Sequence, residues 1–312
     1  MSVGPSTVTR RISLKLCDIF AYAQRDDRES ERTRRRRRLH LLDCVPWNLS
    51  RKRNRYRDAD ALVISLGKSG RTWLRMLLHK ALSLHFQIPF DVDRLERGTP
   101  DLPVLGYTHE LAAHFRDDTW RQRLVGKSIL PRTLTDGKRL IILHRDPRDI
   151  VVSSWFHKTR RSMKTNCSLE EFIRHPRWGI TGIVWIMNRW RTRFDTHPRT
   201  FWLSYEDMHA DVEDHLRLVL EFLDLTVDSR VTSEAVEFAD FDRMKTREAQ
   251  GDYASDKMRP GDPDDPDSFK VRRGKVEGYL DYFDEKSLAF LDKEVARLDT
   301  FYGYTGSDSR RR

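Results

Sequence analysis

The sequence predicts an α/β protein, a central mostly parallel sheet flanked by helices. Two observations carry this. Short apolar runs with the character of strands alternate with segments of helical periodicity, and that alternation implies a parallel sheet covered by helices. Some of the runs, such as "ALVISL" and "KRLIILH", are apolar on successive residues, as strands inside a sheet are.

Taken in order, "ALVISL" from Ala61 reads as the first strand, followed by a helix from about Ser69 to Phe86. Strands follow near "VLGYTH" and over "KRLIILH", the latter leading into a helix over "PRDIVVSSWFHK". "SLEEFIRH" and "GIVWIMNRWRTRF" read as helices, "RTFWLS" as another buried strand, and "VEDHLRLVLEFLDL" as a helix by its apolar spacing. "GDYASDKMRPGDPDDPDSF" is rich in Gly, Pro, Asp and Ser and reads as a long loop, a type that often forms a lid or a binding loop. "DEKSLAFLDKEVARL" returns to an amphipathic helix. The expected organisation is a basic, flexible arm over residues 1–57, one α/β domain over 58–304 and a polar tail over 305–312.

Composition narrows the function classes. Residues 1–60 hold 16 Lys/Arg against 8 Asp/Glu, so +8 of the net +10 lies in the arm and the body is nearly balanced. The arm's "ERTRRRRRLH" and "RKRNRYR" suit an anionic membrane surface as partner rather than nucleic acid. Cys17, Cys44 and Cys167 are far apart and odd in number, which argues against a disulfide scaffold or a cysteine zinc site. No apolar run approaches the roughly 18 residues of a spanning helix, and the N-terminus lacks a secretory pattern. A reducing cytoplasm is the expected setting.

Four stretches carry chemistry. In "LGKSGRTWL", a strand, a glycine-containing turn and a helix start create an anion site, because the first N–H groups of a helix are unpaired and its dipole favours negative charge. Gly67 and Gly70 permit tight backbone conformations, Lys68 supplies charge, Ser69 and Thr72 supply hydroxyls, and Trp73 offers a face for a base. The order differs from the common nucleotide loop G-x-x-x-x-G-K-[ST]. In "HRDPRDIVVSSWF", Arg145 stands at the carboxyl end of a strand, where open α/β sheets place ligands, and Arg145 with Ser153 could grip one anion. The alternative is a capping and ion-pair cluster of Arg145, Asp146, Arg148 and Asp149. "FKVRRGKVEGY" places Arg272, Arg273 and Lys275 around Gly274, either a phosphate site or a solvated basic turn. Tyr205 in "SYEDM" falls at the same sheet edge, as a ligand contact or a core tyrosine.

Jointly and in this order, the four stretches resemble the sulfotransferases that use 3′-phosphoadenosine 5′-phosphosulfate, PAPS. The resemblance runs from about Ala61 to Leu298, and "RDPRD" with "VRRGKV" is closest to soluble bacterial members. It implies a P-loop-like three-layer fold and assigns roles. Lys68, Ser69, Gly70, Thr72 and Trp73 match the family loop P-K-S-G-T-T-W at the 5′-phosphosulfate end, with Gly67 in place of the proline and Arg71 in place of a threonine. Arg145 and Ser153 match the 3′-phosphate contacts, Tyr205 and Phe241 the adenine neighbours, and Arg272, Arg273 and Gly274 the C-terminal phosphate clasp. His109 in "LGYTHE" matches the catalytic base, with Lys68 on the leaving group, and Ser153 is counted with them as catalytic. In a second alignment, "GKSILP" resembles the family's K-T-H-L-P and puts Ile129 at the histidine position, but isoleucine cannot accept a proton. The resemblance implies no metal. The acceptor, a small molecule, lipid or carbohydrate, is not read, and neither is the oligomeric state. Trp155, Phe156, Trp178, Trp185 and Trp190 are candidates to line an apolar acceptor pocket or to fill the core. Two other readings stay open: a nucleotide-dependent kinase, and a polyanion- or membrane-binding protein acting through the arm.

Overall fold

The computed structural model describes residues 56–304 apart from 96–98, 125, 127, 254, 256 and 257. The expected tail, and the arm except for its last two residues, lie outside the described residues. Four strands form one parallel sheet: β1 (Ala61–Ser65), β2 (Leu105–Thr108), β3 (Arg139–His144) and β4 (Thr200–Ser204), in the order β2-β1-β3-β4. β1 sits between β2 and β3, with Ile64 opposite both Thr108 and Ile142.

The apolar runs of β1 and β3 follow from this position, since alternate residues enter two cores. Val63, Ile141 and Leu143 pack with Leu74, Leu77 and Leu78 of α1 (Arg71–His85). Leu62, Ile64, Leu140 and Ile142 pack on the other face against α5 (Pro147–Phe156), α7 (Ile180–Phe194) and α12 (Glu285–Val295). Each such side chain contributes roughly 1.5–3 kcal/mol of apolar burial. Helix, sheet and helix make three layers.

Between β2 and β3 lie α2 (Ala112–Arg116), α3 (Trp120–Leu124) and α4 (Arg132–Thr135). A turn of π-helix, His157–Arg161, follows α5, and α6 (Leu169–Arg174) opens with a capping box between Ser168 and Glu171. After β4 come α8 (Tyr205–Ala210), α9 (Val212–Phe222), α10 (Ser229–Phe238) and α11 (Phe241–Gln250). The last two escaped the sequence reading, although Asp228 and Asp240 cap them through Arg230 N–H and through Asp242 and Arg243 N–H. β4 also departs from expectation. Only Leu203 and Ser204 of it are buried, because it forms the sheet edge. Among its described residues the long loop contains a short 3-10 turn, Pro266–Ser268.

Candidate active site

All four strands deliver a predicted site residue at their carboxyl ends. β1 runs into the loop holding Lys68, β2 is followed by His109, β3 by Arg145 and β4 by Tyr205. This is the edge at which parallel sheets with an internal change of strand order bind ligands.

In the loop, the left-handed backbone falls on Lys68 (φ 76°) and Gly70 (φ 90°). Gly67 does not take that conformation, and a Cβ there would meet only His109 Cε1 at 3.9 Å, so the expected need for glycine at 67 is not found. Gly70 is different: a Cβ would come within 2.5 Å of the Tyr205 ring. That close approach lets Trp73 and Tyr205 meet edge to face, ring centroids 5.7 Å apart. Trp73 Nε1 is fixed by donating to Ala239 O at 3.0 Å. No acidic side chain occupies the first turn of α1, which leaves its N-terminal N–H groups to an anion.

The β3–α5 junction divides in two. Asp146 caps α5 through Arg148 N–H, and the Arg148 guanidinium is fully buried between Asp146 and Asp292. For Asp146 and Arg148 the capping and ion-pair reading holds. Arg145 instead lines the cavity, held by Asp149 at 3.0 Å and Lys275 O at 2.8 Å, with its guanidinium 4.1 Å from the Tyr205 ring centroid. Asp149 also accepts from Glu277 N–H and Tyr279 N–H, tying the C-terminal basic turn to α5.

In that turn, Arg272 and Arg273 both donate to the Tyr282 hydroxyl, at 2.7 and 2.8 Å. Asp267 pairs with the first and Asp281 with the second. Gly274 has φ 61°, and a Cβ there would sit 2.5 Å from the Phe241 ring. Tyr205 donates to Gly274 O at 3.1 Å. The four sequence motifs thus converge on one aromatic and cationic box.

His109 Nδ1 lies 2.7 Å from Ser65 O. A carbonyl can only accept, so Nδ1 carries the proton and Nε2 presents its lone pair. That lone pair takes a hydrogen bond from Arg71 Nη2 at 2.7 Å. Burial, then the Arg71 charge, lowers the His109 pKa to about 4, so the ring is neutral at pH 7. Ile129 is buried in an apolar core cluster, away from the cavity lining. Burial, with the charges of Arg161, Arg272 and Arg145, lowers Lys68 to about 8.

A cavity of about 820 Å³ is lined by Lys68, Gly70, Arg71, Thr72, Trp73, His109, Arg145, Ser153, Tyr205, Phe241, Arg272, Arg273 and Gly274. Ser69, the remaining predicted site residue, is fully buried within the loop, with no hydrogen-bond partner for its hydroxyl among the described residues. Of the aromatic residues considered for an acceptor pocket, Trp178 alone lines the cavity. Trp190 is core, Trp185 stacks on Phe115, and Trp155 and Phe156 pack with the α5 core. Sequence reasoning missed Arg116, His157, Lys158, Arg161 and Lys270, which also line it. Only Lys270, beside Arg272 in "FKVRRGK", carried a local signal. Burial and the nearby Arg161 and Lys68 charges lower it to about 7. No group of three or more potential metal ligands occurs among the described residues.

Residues 58–299 match the model of the sulfotransferase domain family. The chain belongs to that family. Membership makes it an enzyme of the PAPS-dependent sulfotransferase class. Cytosolic sulfotransferase 13 of Arabidopsis thaliana is 26% identical over 194 residues, covering 59% of this chain and 59% of that protein. Cytosolic sulfotransferase 17 of the same plant is 23% identical over 274 residues, covering 81% and 78%. Among solved structures, mouse sulfotransferase SULT7A1 complexed with PAP superposes with a TM-score of 0.54 at 17% identity, covering 83% of this chain and 87% of that one. Retinol dehydratase in a complex with retinol and PAP gives a TM-score of 0.54 at 18% identity, covering 84% of each. At such identities these likenesses establish the fold, and they agree with the parallel three-layer arrangement.

Proposed function

We propose that the cavity binds PAPS and transfers its sulfuryl group to a hydroxyl or amine of a small acceptor, with His109 as base and Lys68 on the leaving group. The observation that carries this reading is the convergence of Lys68, His109, Arg145, Tyr205 and Arg272 on one cavity at the carboxyl edge of the sheet. Adenine stacks among Trp73, Tyr205 and Phe241. The 3′-phosphate meets Arg145 and Ser153, with Arg272, Arg273 and the Gly274 backbone closing over it. The 5′-phosphosulfate rests on the loop and the first turn of α1.

In the reaction, His109 Nε2 takes the acceptor's proton as the acceptor oxygen attacks sulfur. The bond from sulfur to the bridging oxygen breaks, and adenosine 3′,5′-bisphosphate, PAP, leaves with the charge that Lys68 and the loop N–H groups stabilise. The neutral ring and its fixed Nδ1 tautomer support the base assignment. Asp146 is committed to Arg148 and the α5 cap, which disfavours a kinase reading that needs a free acidic magnesium ligand at that strand end. The relatives named cytosolic sulfotransferases support a cytosolic setting for this chain. Residues 58–304 serve as the catalytic unit, and the basic arm acts apart from the chemistry.

The test is sulfuryl transfer from labelled PAPS by His109→Ala and Lys68→Ala variants. Each is expected to lose on the order of 10² to 10⁴ in turnover while still binding PAP. Near-normal turnover in either variant removes that residue from its role.

A further inference from the structure

The cavity holds more positive charge than PAPS can balance. Eleven lysines and arginines line it; Asp149 pairs with Arg145, Asp267 with Arg272, Asp281 with Arg273 and Lys275, and besides Asp149 the one carboxylate of the lining is Asp117. PAPS brings on the order of four negative charges, counting its 3′-phosphate and its phosphosulfate. Part of the surplus acts on His109, through Arg71, Arg116 and Lys270.

Arg116 ends α2, the helix that begins three residues after His109. The residue is 8% exposed, and its Nε and Nη2 are buried with no hydrogen-bond partner among the described residues. The guanidinium lies 5.0 Å from the Trp178 ring centroid, and Lys158 Nζ lies 3.3 Å from the same centroid. One indole offsets only part of one such charge. Asp117, the other carboxylate of the lining, is exposed: its charge acts on both cations, but it forms no ion pair with either among the described residues. Arg71, in turn, directs its guanidinium at the lone pair of His109.

Buried cations with unsatisfied N–H groups are costly unless an anion completes them. Burial lowers Arg116 and Arg71 to about 10 each, the latter with help from the Arg75 charge. Both shifts have the sign expected for charges awaiting a counterion.

We propose that the acceptor is a hydroxyl-bearing organic anion whose carboxylate, phosphate or sulfate is received by Arg116 and Lys158 beside Trp178. Its hydroxyl then takes the place of the Arg71 guanidinium at His109 Nε2, and Arg71 turns toward the acceptor or the transferring sulfuryl group. The binding of acid thereby exposes the base. This inference rests on the sulfotransferase reading and names the substrate class for it.

The experiment uses the full chain saturated with PAP and titrates two matched pairs by calorimetry: hydroxyphenylacetate with its amide, and lithocholate with its amide. In at least one scaffold the acid is expected to bind roughly tenfold or more tightly than the amide, the scale of a charge-assisted hydrogen bond. The preference should fall toward unity in Lys158→Gln and in Arg116→Gln with PAP affinity unchanged. The half-buried position of Lys158 keeps the test open if the buried Arg116 variant folds poorly. If neither acid outbinds its amide while PAP binds tightly, the proposal is wrong and the sulfotransferase reading stands. If PAP itself binds no better than AMP, it is the underlying reading that fails.

Discussion

The two ends of the cavity hold their cations in opposite ways. At the proposed cofactor end, Arg145 is held by Asp149 and Lys275 O, Arg272 by Asp267 and Tyr282, and Arg273 by Asp281 and Tyr282. At the His109 end, Arg71 rests on a neutral imidazole, while Arg116 and Lys158 share one indole. The first group is pre-organised for a ligand of fixed shape. The second has no close ion pair among the described residues, only the charge of exposed Asp117 acting on Arg116 and Lys158, and its geometry depends on what arrives. A cofactor of fixed shape calls for the first arrangement, because preorganisation reduces the cost of ordering the site on binding.

Arg145→Ala tests the pre-organised end with the largest expected effect. PAP affinity should fall roughly 10- to 100-fold, as for loss of hydrogen bonds to a charged group, while AMP affinity changes little. The PAP-to-AMP ratio is the readout, so a general loss of stability does not imitate the result. An unchanged ratio would mean that Arg145 does not read the 3′-phosphate.

Two glycine variants then sharpen the account of the loop. Gly70→Ala forces a Cβ into the Tyr205 ring at a left-handed φ and should cost at least on the order of 1–2 kcal/mol. Gly67→Ala meets open space and ordinary contact, so its melting temperature should stay near that of the parent. Equal effects in thermal unfolding would refute the assignment of the need for glycine to position 70 rather than 67.

The smallest effect is in pH. Lys68 and Lys270 have folded pKa values of about 8 and about 7, below the 10.5 of an unfolded lysine. Between these values the unfolded chain binds more protons, so these groups make the unliganded protein more stable as pH rises from about 7 toward 10.5. Bound PAP favours the charged lysines. Its binding at pH 8 should therefore take up protons, measurable as a dependence of calorimetric heat on the buffer's ionisation enthalpy. Proton release would contradict the placement of Lys68 at the leaving group and of Lys270 in the same cavity.

What the sequence displayed of this arrangement was whatever is local. The strand, loop and helix around Lys68, the cap at Asp146 and the turn around Gly274 each lie within a few consecutive residues, so spacing alone exposed them. The left-handed position at Lys68 was not legible, since residue type pointed to Gly67. The His109 end was not legible either. Arg71 and His109 are 38 residues apart, and Arg116, Lys158 and Trp178 come from α2, the π-helical turn and the segment before α7. Only the packing of α2 and α5 against α7 brings them together, and no periodicity in the chain encodes that meeting. The edge position of β4 was hidden for a similar reason, because strand order is a property of the crossovers.

The central claim is that this cavity is built around a nucleotide bearing a 3′-phosphate. Titration of the full chain with PAP, AMP and magnesium-ATP at physiological salt tests it most directly. The account predicts tight binding of PAP, with AMP weaker by at least about tenfold and no preference for ATP. Equal affinity for PAP and AMP, or tighter binding of magnesium-ATP, would contradict it.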